Sequence, residues 1–131
     1  MTAVVDTNVL VRHLTGDPPA QARLATRYLE QADELLLPDM IVAEVAYVLQ
    51  SFYEVDRPEV AEALRAILTF RAIRVVDRTL LMRTIELYEL HRLGFADAYI
   101  VASAERSGVG VVASFDRGLD KVTTVVREEP A

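Results

Sequence analysis

The stretch VVDTNVLV, residues 4–11, sets a single carboxylate between two apolar runs, where a buried strand should meet a turn. A charge at the rim of a core is costly unless something pairs with it, so Asp6 calls for a helix cap, an ion-pair partner or a metal. Residues 3–6 read as a short buried strand, and Thr7 and Asn8 as turn or cap residues opening a helix through Leu14. The same alternation continues along the chain. A helix with proline in its first turn runs from Pro19 to about Ala32. ELLLPD (34–39) is a second strand, and Asp39 is the expected N-cap of a helix reaching Tyr53. A fourth helix covers residues 59–70, and IRVV (73–76) is the third strand. Asp77 should cap a long helix ended by Gly94, and a further helix is closed by Gly108. VGVVAS (109–114) and TTVVR (123–127) complete the strands. Short apolar strands alternating with helices predict an α/β sandwich with a mainly parallel sheet.

Composition agrees with one compact domain spanning residues 1–131, with 52% hydrophobic residues and a mean hydropathy of +0.21. The chain has no cysteine, which removes disulfides and thiolate metal sites and suits a reducing cytoplasm. No basic region precedes the first apolar run and Asp6 interrupts it, so neither a signal peptide nor a membrane span is expected, and the protein reads as soluble and cytoplasmic. Fourteen basic against twenty acidic residues leave a net charge of −6, a poor overall match for nucleic acid. Lys121 is the only lysine. The arginine bias reads as base composition, since no arginine-rich run or stripe stands out.

Four acids draw attention. In open α/β sheets, ligands bind beyond the carboxyl ends of the strands, and Asp6 and Asp116, the latter in SFDRG (114–118), both fall at such ends. Glu44 is the only charge in MIVAEVAYVL (40–49), a helical stretch apolar on every side that predicts a largely buried helix. Asp97 opens a helix of small and apolar residues in GFADAYIVASA (94–104). Each acid alone has an ordinary explanation: a turn for Asp6, a cap for Asp97 and Asp116, an arginine partner for Glu44. Together they favour a site. Four clustered carboxylates cannot all ionise at neutral pH without a cation, and two divalent ions would balance them. Oxygen-only ligands select Mg²⁺ or Mn²⁺, and the chemistry such a centre serves is in-line phosphodiester hydrolysis. His13 and His91 join no metal-spaced pair, and Tyr28, Tyr47 and Tyr88 lie on helix faces where packing is the default.

VVDTNVLV, the isolated Glu44, ADAYIVASA and SFDRG, in that order, resemble the PIN domain family, and within it the VapC-type toxins of bacterial toxin–antitoxin pairs. The resemblance covers the whole chain. It implies a three-layer sandwich with a parallel central sheet and helices on both faces. It also implies an endoribonuclease dependent on Mg²⁺ or Mn²⁺, one or two ions, held by Asp6, Glu44, Asp97 and Asp116. Thr7, Asn8 and Ser114 match supporting positions, Ser114 standing where threonine is commoner. Asp120 is a candidate outer acid, and Arg12 and Arg117 are candidates for phosphate contact. The implied partners are an RNA substrate, a second copy of the chain, and a small antitoxin lying over the active-site groove, with no membrane. Two other readings are a PIN-like nuclease in RNA processing or DNA repair, and a non-catalytic module whose acids grip a partner's arginines.

Overall fold

Each of the first four strands ends just before a residue that starts a helix, and this keeps the strands short. The computed structural model describes residues 2–131, which fall into two units divided between Val76 and Asp77. The first unit holds β1 (Thr2–Val4), α1 (Thr7–Thr15), α2 (Pro19–Gln31), β2 (Glu34–Leu36), α3 (Asp39–Ser51), α4 (Arg57–Leu68) and β3 (Ile73–Arg74). Its strands pair in the order β1-β2-β3, both ladders parallel, with Ala3 opposite Leu35 and Leu35 opposite Ile73. α1 packs on α2 and α3, and α3 on α4. Leu10, Leu37, Val45, Leu64, Ile67 and Leu68 meet around one small apolar void of about 10 Å³ in this unit's core.

The second unit holds α5 (Arg78–Leu90), α6 (Phe95–Ser107), β4 (Val111–Ala113), a 3₁₀ turn at Arg117–Lys121 and β5 (Val126–Glu128). β4 and β5 are parallel, with Val112 opposite Arg127. α5 packs against α6, and Leu81, Ile85, Leu87, Tyr88, Ala98, Val101 and Ala102 are buried. Two arginines fasten this helix pair near the C-terminal end of α6. Arg83 on α5 grips Glu105 on α6 through two bonds of 2.8 and 2.9 Å, and Arg106 reaches back to Asp77 at 3.0 Å.

The α/β class and the parallel pairing are as the sequence predicts. Three helix boundaries differ for local reasons. Pro38, not Asp39, occupies the N-cap of α3, and Asp39 lies in its first turn. α5 stops at Leu90 because Arg92 takes a left-handed conformation with φ 56°, and Gly94 serves instead as the N-cap of α6. α4 begins at Arg57, with Pro58 in its first turn, ahead of the expected residue 59. Asp77 caps α5 as expected, accepting from the Leu80 N–H at 3.1 Å, and Gly108 ends α6 at φ 78°.

The Arg83 hydrogen bonds hold the Glu105 carboxyl below the ordinary glutamate value of 4.5. A group whose pKa falls on folding stabilises the fold above its unfolded pKa, and loses that contribution as pH drops through the folded one. Glu105→Gln should therefore cost about 1 kcal/mol at pH 7 and progressively less below pH 4.5, read by urea unfolding across pH. A penalty independent of pH would show that the ion pair carries none of it.

Candidate functional site

In the second unit two of the four acids come together. α6 begins at Phe95 behind its Gly94 cap, which places Asp97 in the first turn, half-buried, where the helix dipole favours a negative charge. The turn after β4 brings Asp116 to it. Asp116 is the N-cap of the 3₁₀ turn; its Oδ1 accepts from the Gly118 N–H at 2.8 Å, and its own N–H donates to Ser114 Oγ at 2.9 Å. Burial raises the Asp97 pKa, and the charge of Asp116 together with a hydrogen bond between the two carboxyl groups raises it further. Neutralising this pair takes a proton or a cation.

Gly118 was not among the expected site residues. A Cβ built there would stand 3.0 Å from Asp116 Oδ1, so the glycine gives the carboxylate room to fold over its own turn. Its signal was the glycine two residues after the acid in SFDRG.

The first unit carries the other two. Asp6 follows β1 and occupies the N-cap of α1 with a β-region backbone, yet its side chain makes no capping bond and is exposed. Its carboxylate is thus not used up by the helix. Thr7 is buried, and its hydroxyl has no hydrogen-bond partner among the described residues. Asn8 is exposed and lines an open groove of about 420 Å³ with Arg12 and Tyr28. Glu44 differs from expectation. α3 buries Val42, Val45, Ala46 and Leu49, whereas Glu44 is exposed on the opposite face beside Met40 and Tyr47. The apolar residues on that face made the helix look buried all round; two of them are in water.

Among the described residues, no three carboxylate or imidazole groups gather around one point. Asp120 pairs with Arg127 at 2.9 Å, which pulls its pKa down and ties it to β5. Arg12 gives its Nε to Gln21, and Arg117 is exposed at the start of the 3₁₀ turn. His13 Nδ1 bonds Thr26 Oγ1 at 2.7 Å and meets the Phe70 ring edge-on. Tyr88 is packed as expected, while Tyr47 and Tyr28 are exposed.

The carboxyl pair makes a pH prediction opposite in sign to that of Glu105. An acid whose pKa rises on folding destabilises the fold once ionised, so stability is lost as pH rises from 3.8 through the raised value. Asp116→Asn keeps the acceptor for Gly118 and removes the repelling charge. It should raise stability at pH 7, without divalent cations, by up to about 1 kcal/mol, and the gain should vanish in acid, where Asp97 is protonated in both states. An unchanged or lower midpoint at pH 7 would contradict the pairing.

The sequence pattern of the PIN domain matches residues 3–125. A protein of Aquifex aeolicus (strain VF5) named VapC ribonuclease is 25% identical over 122 residues, covering 91% of this chain and 90% of that protein. The crystal structure of VapBC2 from Rickettsia felis, bound to a DNA fragment from their promoter, aligns over 98% of both chains with a TM-score of 0.40 and 15% identity. With the match running over nearly its whole length, and with acids at the ends of β1 and β4 and at the start of α6, this chain belongs to the PIN domain family.

Proposed function

We propose that residues 1–131 form one PIN-like nuclease domain, a Mg²⁺- or Mn²⁺-dependent endoribonuclease that is the toxin of a type II toxin–antitoxin pair and works in the cytoplasm. The observation that carries this reading is the contact of two carboxyl groups, Asp97 and Asp116, in a chain of this family. Support for one domain comes from the family match, which runs through the boundary at Val76. Support for RNA as substrate comes from the relative named VapC ribonuclease. Among the described residues no helix is long and apolar enough to cross a membrane.

The donor chemistry fits a hard cation. Asp97 and Asp116 repel one another, offer only oxygen and have no guanidinium between them. They would hold one or two ions together with Asp6 and Glu44. Such an ion, when bound, supplies counter-charge for phosphate and lowers the pKa of water. The chain's own residues do the rest. Ser114 and Gly118 fix the turn that aims Asp116, and Thr7 and Asn8 orient Asp6 and nearby water. Glu44, exposed on α3, would accept the proton of the attacking water. Arg12 and Arg117 contact phosphate, and Asp120 acts only through the turn it stabilises with Arg127.

Asp6→Asn, Asp97→Asn and Asp116→Asn should each lower kcat for cleavage of a labelled RNA in Mg²⁺ by about a hundredfold or more, with the thermal midpoint kept or raised. Cleavage that survives EDTA, or wild-type rates in these variants, would refute the assignment.

α3 and its C-terminal end also present apolar surface: Met40 is 79% exposed, Tyr47 70% and Phe52 76%. Large exposed apolar groups close together mark a contact surface, and α3 with α4 is proposed to supply the groove for the antitoxin, with the homodimer contact beside it. Tyr47→Asp should weaken binding of the small protein encoded beside this chain by tenfold or more, measured by calorimetry. Unchanged affinity, in a protein that sediments as a monomer, would place both contacts elsewhere.

A further inference from the structure

The α1–α2 hairpin is locally basic in an acidic protein. Between Thr7 and Gln31 there are three arginines, Arg12, Arg23 and Arg27, against two acids, Asp17 and Glu30, whereas the whole chain carries −6. Arg23 and Arg27 lie one helical turn apart on α2, and both are exposed. Like charges at this spacing repel and weaken a helix, so helix stability does not explain the pair. Several arginines elsewhere are put to internal use: Arg74 pairs with Glu34, Arg83 with Glu105, Arg106 with Asp77 and Arg127 with Asp120. Among the described residues Arg23 and Arg27 have no ion-pair partner.

Both guanidinium groups border an open groove of about 590 Å³ that is also lined by His13, Thr26, Glu30 and Gln31. Thr26 and Gln31 add neutral hydrogen-bonding groups, and Thr26 holds the His13 ring in place. The groove is wide and unroofed, which suits a strand passing through it better than a small enclosed anion. Two unpaired forks in a row along such a channel match successive phosphates of a polyanion, and the guanidinium is the side chain whose geometry fits phosphate oxygens in pairs. Glu30, on the same lining, opposes that use.

We propose that Arg23 and Arg27, across the α1–α2 groove, form a binding track for the sugar–phosphate backbone of single-stranded RNA. None of the four acids lines this groove, and the proposal rests on the reading of the chain as a ribonuclease for its choice of RNA. Recognition through phosphates carries no base information, so the track contributes affinity and register, not sequence choice.

The test is fluorescence anisotropy of a labelled, mixed-sequence single-stranded RNA with the full chain in EDTA, which separates binding from hydrolysis. Arg23→Gln/Arg27→Gln should raise Kd at least tenfold, and its log–log salt dependence should be shallower by about 1.4, from ~0.7 per lost phosphate contact. Arg78→Gln, an exposed arginine on α5 outside this groove, controls for net charge and should change Kd less than twofold. Glu30→Gln should tighten binding. A double variant that behaves like Arg78→Gln overturns the proposal, as does a wild type that binds no RNA. So does the finding that the two arginines affect only an acidic partner protein. Arginine-dependent binding in a chain that cuts no RNA in Mg²⁺ would uphold the track and remove the nuclease reading. Cutting with arginine-independent binding would do the reverse.

Discussion

Parallel strands cannot be joined by a tight turn, so every ladder in this chain requires a crossover, and each of the first four strands is followed by a helix or a helical turn. That one constraint places the chemistry. The residue that leaves a strand and enters a helix has an extended backbone, where an N-cap favours a short polar side chain. Asp6, Asp77 and Asp116 all occupy such positions, with β-region dihedrals. Asp77 spends its carboxylate on the helix and on Arg106, and Asp116 spends one oxygen on Gly118. Asp6 spends none. The positions are alike by topology, and the difference in how far each acid is satisfied locally separates a structural cap from an acid available for other work.

The second unit also shows how an unfavourable pair is kept in place. Asp97 and Asp116 repel, while the Gly118 N–H on Asp116 and the first turn of α6 around Asp97 favour the charge at each. At the other end of α6, Arg83 and Glu105 form a two-bond pair, and Arg106 with Asp77 closes the hairpin of α5 and α6. Partly buried bidentate pairs of this kind are among the stronger charge contacts available to a small domain. Beneath them Leu81, Ile85 and Val101 are fully buried. The helix that carries Asp97 is thus anchored by packing and by ion pairs at its far end, remote from that carboxylate.

Much of the architecture is legible in the sequence because its signals are local. Pro19, Asp77 and Gly108 mark helix ends by their own backbone chemistry, and short apolar runs between helices call for a parallel ladder. Glu44 was misread because periodicity reports the pattern of apolar residues, not whether a given face is covered: Met40 and Tyr47 kept α3 from looking amphipathic, although both are in water. The end of α5 was misplaced because Arg92, a residue with no preference for left-handed backbone, takes that conformation ahead of the glycine. The acids of the candidate site were legible by order and type. The contact between Asp97 and Asp116 was not, because it is made by the turn after β4, and turn geometry is set by hydrogen bonds such as Gly118 to Asp116 that no spacing rule reports.

Net charge is a property of the whole chain and does not describe any one groove. A chain at −6 should repel nucleic acid if its charge acted from a single point, but ions in solution limit the range of that field to about 8 Å at physiological salt. A phosphate lying in the α1–α2 groove is governed by groups within that distance, and there the lining offers Arg23 and Arg27 against Glu30. The long-range field still matters for encounter, since an acidic body slows the approach of a polyanion. The arrangement therefore favours a slow on-rate with local, arginine-dependent retention, and it makes the approach faster as salt rises even while the bound state weakens. An electrostatically basic protein would show both quantities falling together.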